Sequence, residues 1–241
     1  MKQRATKDED RDVRITAFKE LARSWRNDPE TLNILKQRAT KDRETYARVY
    51  AVKELANGWH KNPEILQILK HISTEDEEGY VRSIAVHELA SRWHADPEIL
   101  EFVKRIVIID EEKYVRKNAV QEIALWWHDC PETPSIMKQL IKTSKMGDVR
   151  KAAIQELARG WHDDPETLDI IKNSTATDKV MDVRSAAIQE LTTGWNADTE
   201  VLEFVKHRAM TDKSRVVRQK AVRELKKLWG LEIEESIEGN T

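Results

Sequence analysis

Seven histidines, one cysteine and 43 acidic residues are the groups in this chain of 241 residues that could do chemistry, and their spacing tests each possibility. His87-Glu88 opens like the helix of a zinc protease, in which two histidines one helical turn apart share a metal; the second position holds Ser91, so the ligand pair is missing. His60, His94, His128 and His162 recur every 34 residues, which in a helical stack sets neighbours a layer apart. That is roughly 10 Å, against metal bonds of about 2 Å. These histidines are expected instead to complement the negative end of a helix. Glu20, Glu54, Glu88, Glu122, Glu156, Glu190 and Glu224 form another column, and a carboxylate present in every repeat reads as architecture, because catalysis uses a position once. Cys130 stands in a slot that elsewhere holds Asp or Asn, so it is read as a drifted helix cap, the alternative being a reactive thiol. No phosphate-binding glycine loop, dinucleotide fingerprint or nucleophile elbow occurs. The expectation is a chain that is not an enzyme, with no catalytic residue, no metal and no cofactor.

The elements that position these groups come from a repeat. Trp25, Trp59, Trp93, Trp127, Trp161, Trp195 and Trp229 are each 34 residues apart, and the arginines Arg14, Arg48, Arg82, Arg116, Arg150, Arg184 and Arg218 keep the same register. So do the alanines from Ala17 to Ala221. Within one period, Val13, Ala17, Phe18, Leu21 and Trp25 fall at steps of three and four, the pattern of an amphipathic helix. A shorter helix begins at Asp28-Pro29-Glu30, with Asp28 as N-cap and Pro29 where a missing donor costs nothing. Leu32, Ile34, Leu35 and Ala39 supply its expected buried face. The same start recurs at Asn62, Asp96 and Asp164 and weakens at Cys130-Pro131 and Asp198-Thr199. Helices this short are marginal alone, so stability must be a sum over neighbouring layers. The predicted fold is all-α, one solenoid array over 1–230 with a truncated first unit, followed by a polar tail over 231–241. The tryptophans are expected in its core.

Composition narrows function further. Lys and Arg total 41 against 43 acids, a net charge of -2, so no global field draws the chain to nucleic acid or anionic lipid. A mean hydropathy of -0.68 and the absence of a long apolar run argue against a membrane span. One cysteine excludes an intrachain disulfide and suits a reducing, cytoplasmic setting.

On a helical wheel the arginine column lies inside the apolar face, where a guanidinium needs partners. Asp8, Asp42, Asp76, Asp110, Asp178 and Asp212 stand six positions upstream of an arginine, with Ser144 the exception, for which Arg150 is expected to use Asp148. The expected ladder thus comprises Asp42, Arg48, Asp76, Arg82, Asp110, Arg116, Asp178, Arg184, Asp212 and Arg218. A loop Asp, then Val-Arg, a small Ala three on and a Leu four beyond resembles the HEAT-like repeats common in bacterial proteins, and the likeness spans essentially the whole chain. That resemblance implies a right-handed superhelix of helical hairpins whose second helix carries Val-Arg and lines the concave side. The run Trp161 to Glu166 is similar to arrays that follow bacterial, especially cyanobacterial, NACHT or STAND-type NTPases, which implies a piece of a larger signalling or defence protein. Tetratricopeptide repeats share the period but carry Trp earlier and lack the buried Val-Arg. HEAT-like bilin lyase subunits and DNA glycosylases would imply catalysis, yet their similarity brings no catalytic signature here.

If architecture repeats, recognition belongs where the layers differ. On the outward face of the long helices the early layers present Tyr46, Val49, Tyr50 and Lys53, then Tyr80, Ile84 and His87, then Tyr114, Lys117, Gln121 and Leu125. Later layers put small or polar residues there, such as Lys151, Ala152, Gln155 and Ala186. The early strip is therefore the expected site for a protein or peptide partner, unless its tyrosines seal the layer edges. The same face carries Lys19, Arg23, Lys53, Lys117, Lys151, Arg159, Arg223 and Lys227, so a basic groove for nucleic acid is the second reading. No small-molecule substrate is indicated. Trp126, in a slot otherwise small, is expected to mark local repacking with Pro134.

Overall fold

The computed structural model describes residues 1–232, and every regular element among them is α-helical. The chain divides into two compact units, Met1–Trp127 and His128–Thr241. The first contains α1 (Lys2–Lys7), α2 (Arg11–Ser24), α3 (Pro29–Lys41), α4 (Thr45–Trp59), α5 (Pro63–Glu75), α6 (Gly79–Trp93), α7 (Pro97–Ile109) and α8 (Lys113–Trp126). The second contains α9 (Thr133–Thr143), α10 (Gly147–Gly160), α11 (Pro165–Thr177), α12 (Met181–Gly194), α13 (Thr199–Thr211) and α14 (Arg215–Trp229). Each short helix packs on the long helix that follows it, and successive long helices of a unit pack on one another, α2 on α4 on α6 on α8 and α10 on α12 on α14. Each unit is a pile of two-helix layers, an α-solenoid of helical hairpins, and the Val-Arg helix is the second member of each hairpin. Of the polar tail expected over 231–241, residues 233–241 lie outside the described residues.

Local chemistry explains where the short helices start. Asp28, Asn62, Asp96 and Asp164 each accept the backbone N–H of the residue two ahead at 2.9–3.0 Å, with proline in the first turn. Asp198 caps at 2.7 Å without the proline, so the expected weakening does not extend to the cap itself. At Cys130 it does: α9 starts later, at Thr133, behind Glu132, whose side chain makes no cap bond. The long helices bury Ala17, Phe18 and Leu21 and their counterparts. On α3 the inner face is Thr31, Ile34, Leu35 and Ala39, while Leu32 is half-buried, one position off the expected pattern.

Arg14, Arg48, Arg82, Arg116 and Arg184 are buried as expected, with Arg150 and Arg218 half-buried, but the carboxylates come from the following layer rather than from six positions upstream. Arg14 donates Nε and Nη2 to Asp42 at 3.0 and 2.8 Å, and Arg48 to Asp76, Arg82 to Asp110, Arg150 to Asp178 and Arg184 to Asp212 repeat the fork, always 28 residues ahead. The residue six upstream supplies its main-chain carbonyl to Nη1 instead, as Asp42 does for Arg48 at 2.9 Å and Asp212 for Arg218 at 2.8 Å. Arg150 therefore uses Asp178 and the Ser144 carbonyl, not Asp148. Arg116 likewise bonds the carbonyl of Asp110 at 2.7 Å. Each loop aspartate also accepts an amide two residues on, such as Glu44 N–H to Asp42 at 3.1 Å, so one carboxylate fixes both its own loop and the preceding layer. A planar guanidinium matches a carboxylate bidentately, which is why the column is arginine and not lysine.

The tryptophans are not the interior. Trp25 is 43% exposed, and among its counterparts Trp127 is buried while Trp59, Trp93, Trp161, Trp195 and Trp229 are half-buried. They line one edge of the layers, where the residue after each Trp reaches the next layer. His128 stacks on Trp161 with ring centroids 4.9 Å apart and His162 on Trp195 at 4.3 Å; Arg26 takes the same place over Trp59. The expected role of the histidines as helix-end charges gives way to this stacking. Gly160 and Gly194 are small because a Cβ there would come within 3.4 and 3.1 Å of the incoming imidazole. Trp126 fills the slot these glycines leave open, stacks on His94 at 5.5 Å and donates Nε1–H to Glu122 at 2.9 Å, while Trp127 turns inward and donates to the His94 carbonyl.

Candidate functional site

The face of α4, α6 and α8 opposite the core carries the residues singled out in the first unit. The period sets Tyr46, Tyr80 and Tyr114 in register, and they are 51%, 42% and 41% exposed. They touch across layers. The Tyr46 and Tyr80 rings meet edge to face at 5.9 Å, Arg11 lies 5.2 Å from the Tyr46 ring, and Tyr114 extends over Gly79, where a Cβ would come 2.5 Å from the phenol oxygen. Gly79 is thus the counterpart of Thr45 reduced to hydrogen to admit a tyrosine. Burial pushes the Tyr114 phenol up from its ordinary pKa, and the neighbouring Glu112 adds to this.

A turn along the same helices, Lys19 Nζ sits 4.3 Å from the centroid of Tyr50 and Lys53 Nζ 5.9 Å from it, so one ring is held by ammonium groups of its own and the preceding layer. Ile84 is half-buried beside this row, and Leu125 is 63% exposed at the far end of α8. Lys117 is exposed and Gln121 half-buried. Val49 does not belong with them: it is 2% exposed, although Lys117, at the same repeat position, is exposed.

His87 and Glu122 join adjacent layers on this face, with Nδ1 and Oε1 3.0 Å apart. The hydrogen bond to Glu122 raises the His87 pKa above its ordinary value against a smaller opposing effect of burial. Burial pushes the Glu54 carboxyl up, while Lys19 partly compensates. Nothing in this arrangement lines up a nucleophile with a base and a donor for a developing charge. Among the described residues no group of three His, Cys, Asp or Glu is placed to hold a metal ion.

The structure brings together Tyr46 with Tyr80, Tyr50 with Lys53, and His87 with its partner on α8, and leaves Lys117 and Leu125 at the margin. Sequence reasoning missed the ring and cation contacts that hold the tyrosines. The pairing of Gly79 with Tyr114, one repeat and one position apart, was the available signal. No helix among the described residues is long and apolar enough to cross a membrane.

Comparison with known proteins agrees with the geometry. The family model for HEAT repeats matches residues 1–90 and 99–192, more than half of the chain. No curated protein matches it.

Proposed function

Because the chain belongs to the HEAT repeat family, whose arrays are commonly protein-interaction scaffolds, we propose that it is a non-enzymatic scaffold or sensor segment holding a protein partner on the outward, concave face of α4, α6 and α8. The observation that carries this reading is the exposed set Tyr46, Tyr80, Tyr114 and Leu125, its tyrosines recurring in three layers whose counterparts elsewhere are Asp or Val. Aromatic side chains give large contact area with few rotatable bonds, and here the rings are already fixed by their neighbours, so little freedom is lost on docking. The resemblance of Trp161 to Glu166 to arrays that follow signalling NTPases supports reading the chain as a segment of a larger cytoplasmic protein of bacterial type.

The basic face favours protein over nucleic acid once its contacts are counted. Lys19 and Lys53 lie over Tyr50, and Arg23 and Arg159 pair with Glu20 and Glu156, so half of the cations that could line a phosphate groove are engaged locally. The test is partner capture by the immobilised chain compared with a Tyr80→Ala, Leu125→Ala variant. Both residues are exposed, so helical circular dichroism should be unchanged while capture falls about tenfold or more. Equal capture by the two proteins would reject this face.

A further inference from the structure

We propose that the outward face of α10, α12 and α14 in the second unit is a separate docking site, for an extended polypeptide segment bearing an acidic side chain. These helices border an open cleft of about 330 Å³ whose walls include Lys151, Gln155, Ser185, Gln189, Gln219 and Arg223. Nothing in the repeat architecture requires those residue types. These columns vary from layer to layer: that of Gln155 and Gln189 holds Lys19, Lys53, His87 and Gln121 in the first unit, and that of Ser185 and Gln219 holds Ile15, Val49, Ser83 and Lys117.

The chemistry of the cleft selects its occupant. A carboxamide offers both a donor and an acceptor, as a peptide group does. Gln155 and Gln189 stand in the same register one layer apart, and packed helices are about 8–10 Å apart while an extended chain rises ~3.3 Å per residue. Gln189 accepts from Lys220 and keeps its amide N–H groups, and Gln155 donates to Glu190 and keeps its carbonyl, so the two offer one donor and one acceptor to peptide groups three residues apart on one strand. Ser185 adds a hydroxyl that is buried and has no hydrogen-bond partner among the described residues, a group that a docked backbone would satisfy.

Charge decides the side chain. Lys151 is exposed on α10 and Arg223 on α14, and neither has an ion-pair partner among the described residues; the acid on the wall is Asp182. Lys220 is already held by Glu224 at 2.8 Å and by Gln189. A carboxylate carried by the ligand reaches either of the two remaining cations. A phosphate backbone fits less well, because Glu156, Glu190 and Glu224 run along the same helices and repel a dense line of negative charge.

The experiment uses the full chain and three fluorescent probes followed by anisotropy: a Glu-Gly-Gly repeat peptide of about nine residues, enough at ~3.3 Å per residue to cross three layers, its Gln-Gly-Gly counterpart, and an oligothymidylate of similar span. The acidic peptide should bind, the neutral one about tenfold more weakly, and both Lys151→Glu with Arg223→Glu and Gln155→Ala with Gln189→Ala should weaken the acidic peptide by about tenfold. All four side chains lie at the surface of the cleft, and unchanged helical circular dichroism confirms that the variants fold. Absence of acidic-peptide binding, equal binding of the neutral peptide, or indifference to both variants overturns the proposal. Tighter binding of the oligothymidylate assigns the cleft to a phosphate backbone and overturns it as well. The Tyr80→Ala, Leu125→Ala variant should bind the acidic peptide like the parent, so this result stands apart from the partner site on the first unit.

Discussion

A guanidinium in the core is tolerable here because each of its donors has an acceptor. Arg82 sends Nε and Nη2 to Asp110 at 2.8 and 2.9 Å and Nη1 to the Asp76 carbonyl at 2.8 Å. Removing it leaves a buried carboxylate, so Arg82→Ala should lose about 3–5 kcal/mol in urea unfolding. Arg184→Ala should lose less, since Arg208 also reaches Asp212 at 2.5 Å. A loss for Arg82→Ala below about 1 kcal/mol would mean that the pair contributes no more than a solvated surface bridge. Burial of Asp212 opposes ionisation, but the Arg184 fork, the Ser214 amide and Arg208 outweigh it and hold the carboxyl at about 2. A lowered folded pKa contributes stability that is complete above the ordinary carboxylate range and drains away as pH falls through about 2. Asp212→Asn should therefore flatten the acid limb of the stability curve. The arginine column and its need for acids were legible from the helical wheel. The direction of the fork was not, because residues 6 and 28 positions away both become neighbours in a stack, and spacing alone does not choose between the acid's side chain and its carbonyl.

At the scale of one helix, α12 separates two residues that look equally apolar in sequence. Leu191 is fully buried and Trp195 half-buried at the helix end. Leu191→Ala should cost about 2–5 kcal/mol, while Trp195→Ala, which exposes the His162 ring but opens no sealed cavity, should cost clearly less. Thermal unfolding of the two variants checks the order, and a larger shift for Trp195→Ala would restore the tryptophans to the core. The regular Trp spacing reveals a repeated position and says little about its depth, because the last turn of an amphipathic helix continues its apolar face past the point where the neighbouring helix stops. The same limit applies to Val49, which is buried while Lys117 at the same repeat position is exposed. The candidate tyrosines were legible as aromatics confined to the early layers; their anchoring by Arg11, Lys19 and Gly79 was not, since it joins residues of different layers.

For the molecule as a whole, the fold class followed from periodicity, and the existence of two compact units did not. Ser144 and the displaced start of α9 are visible as lapses in the repeat, yet what a lapse does to packing depends on how neighbouring side chains respond. Repeat stability is close to a sum of nearest-neighbour contributions. Leu89→Ala, in α6, should accordingly reduce amide-exchange protection across Met1–Trp127 far more than across His128–Thr241. Equal loss in both segments would show a single cooperative unit instead.

The arginine fork has a consequence for how such a chain grows. In five periods the long helix carries a plug and the opening loop of the next a socket, the loop at Ser144 being the exception, and the plug enters the socket that comes later in the chain. Modules with this polarity can be duplicated or deleted in whole periods without leaving an orphaned charge at the junction. An exchange that cuts within a period leaves a cation on one product and an anion on the other, so the same electrostatics that hold neighbours together also select where recombination leaves a foldable chain.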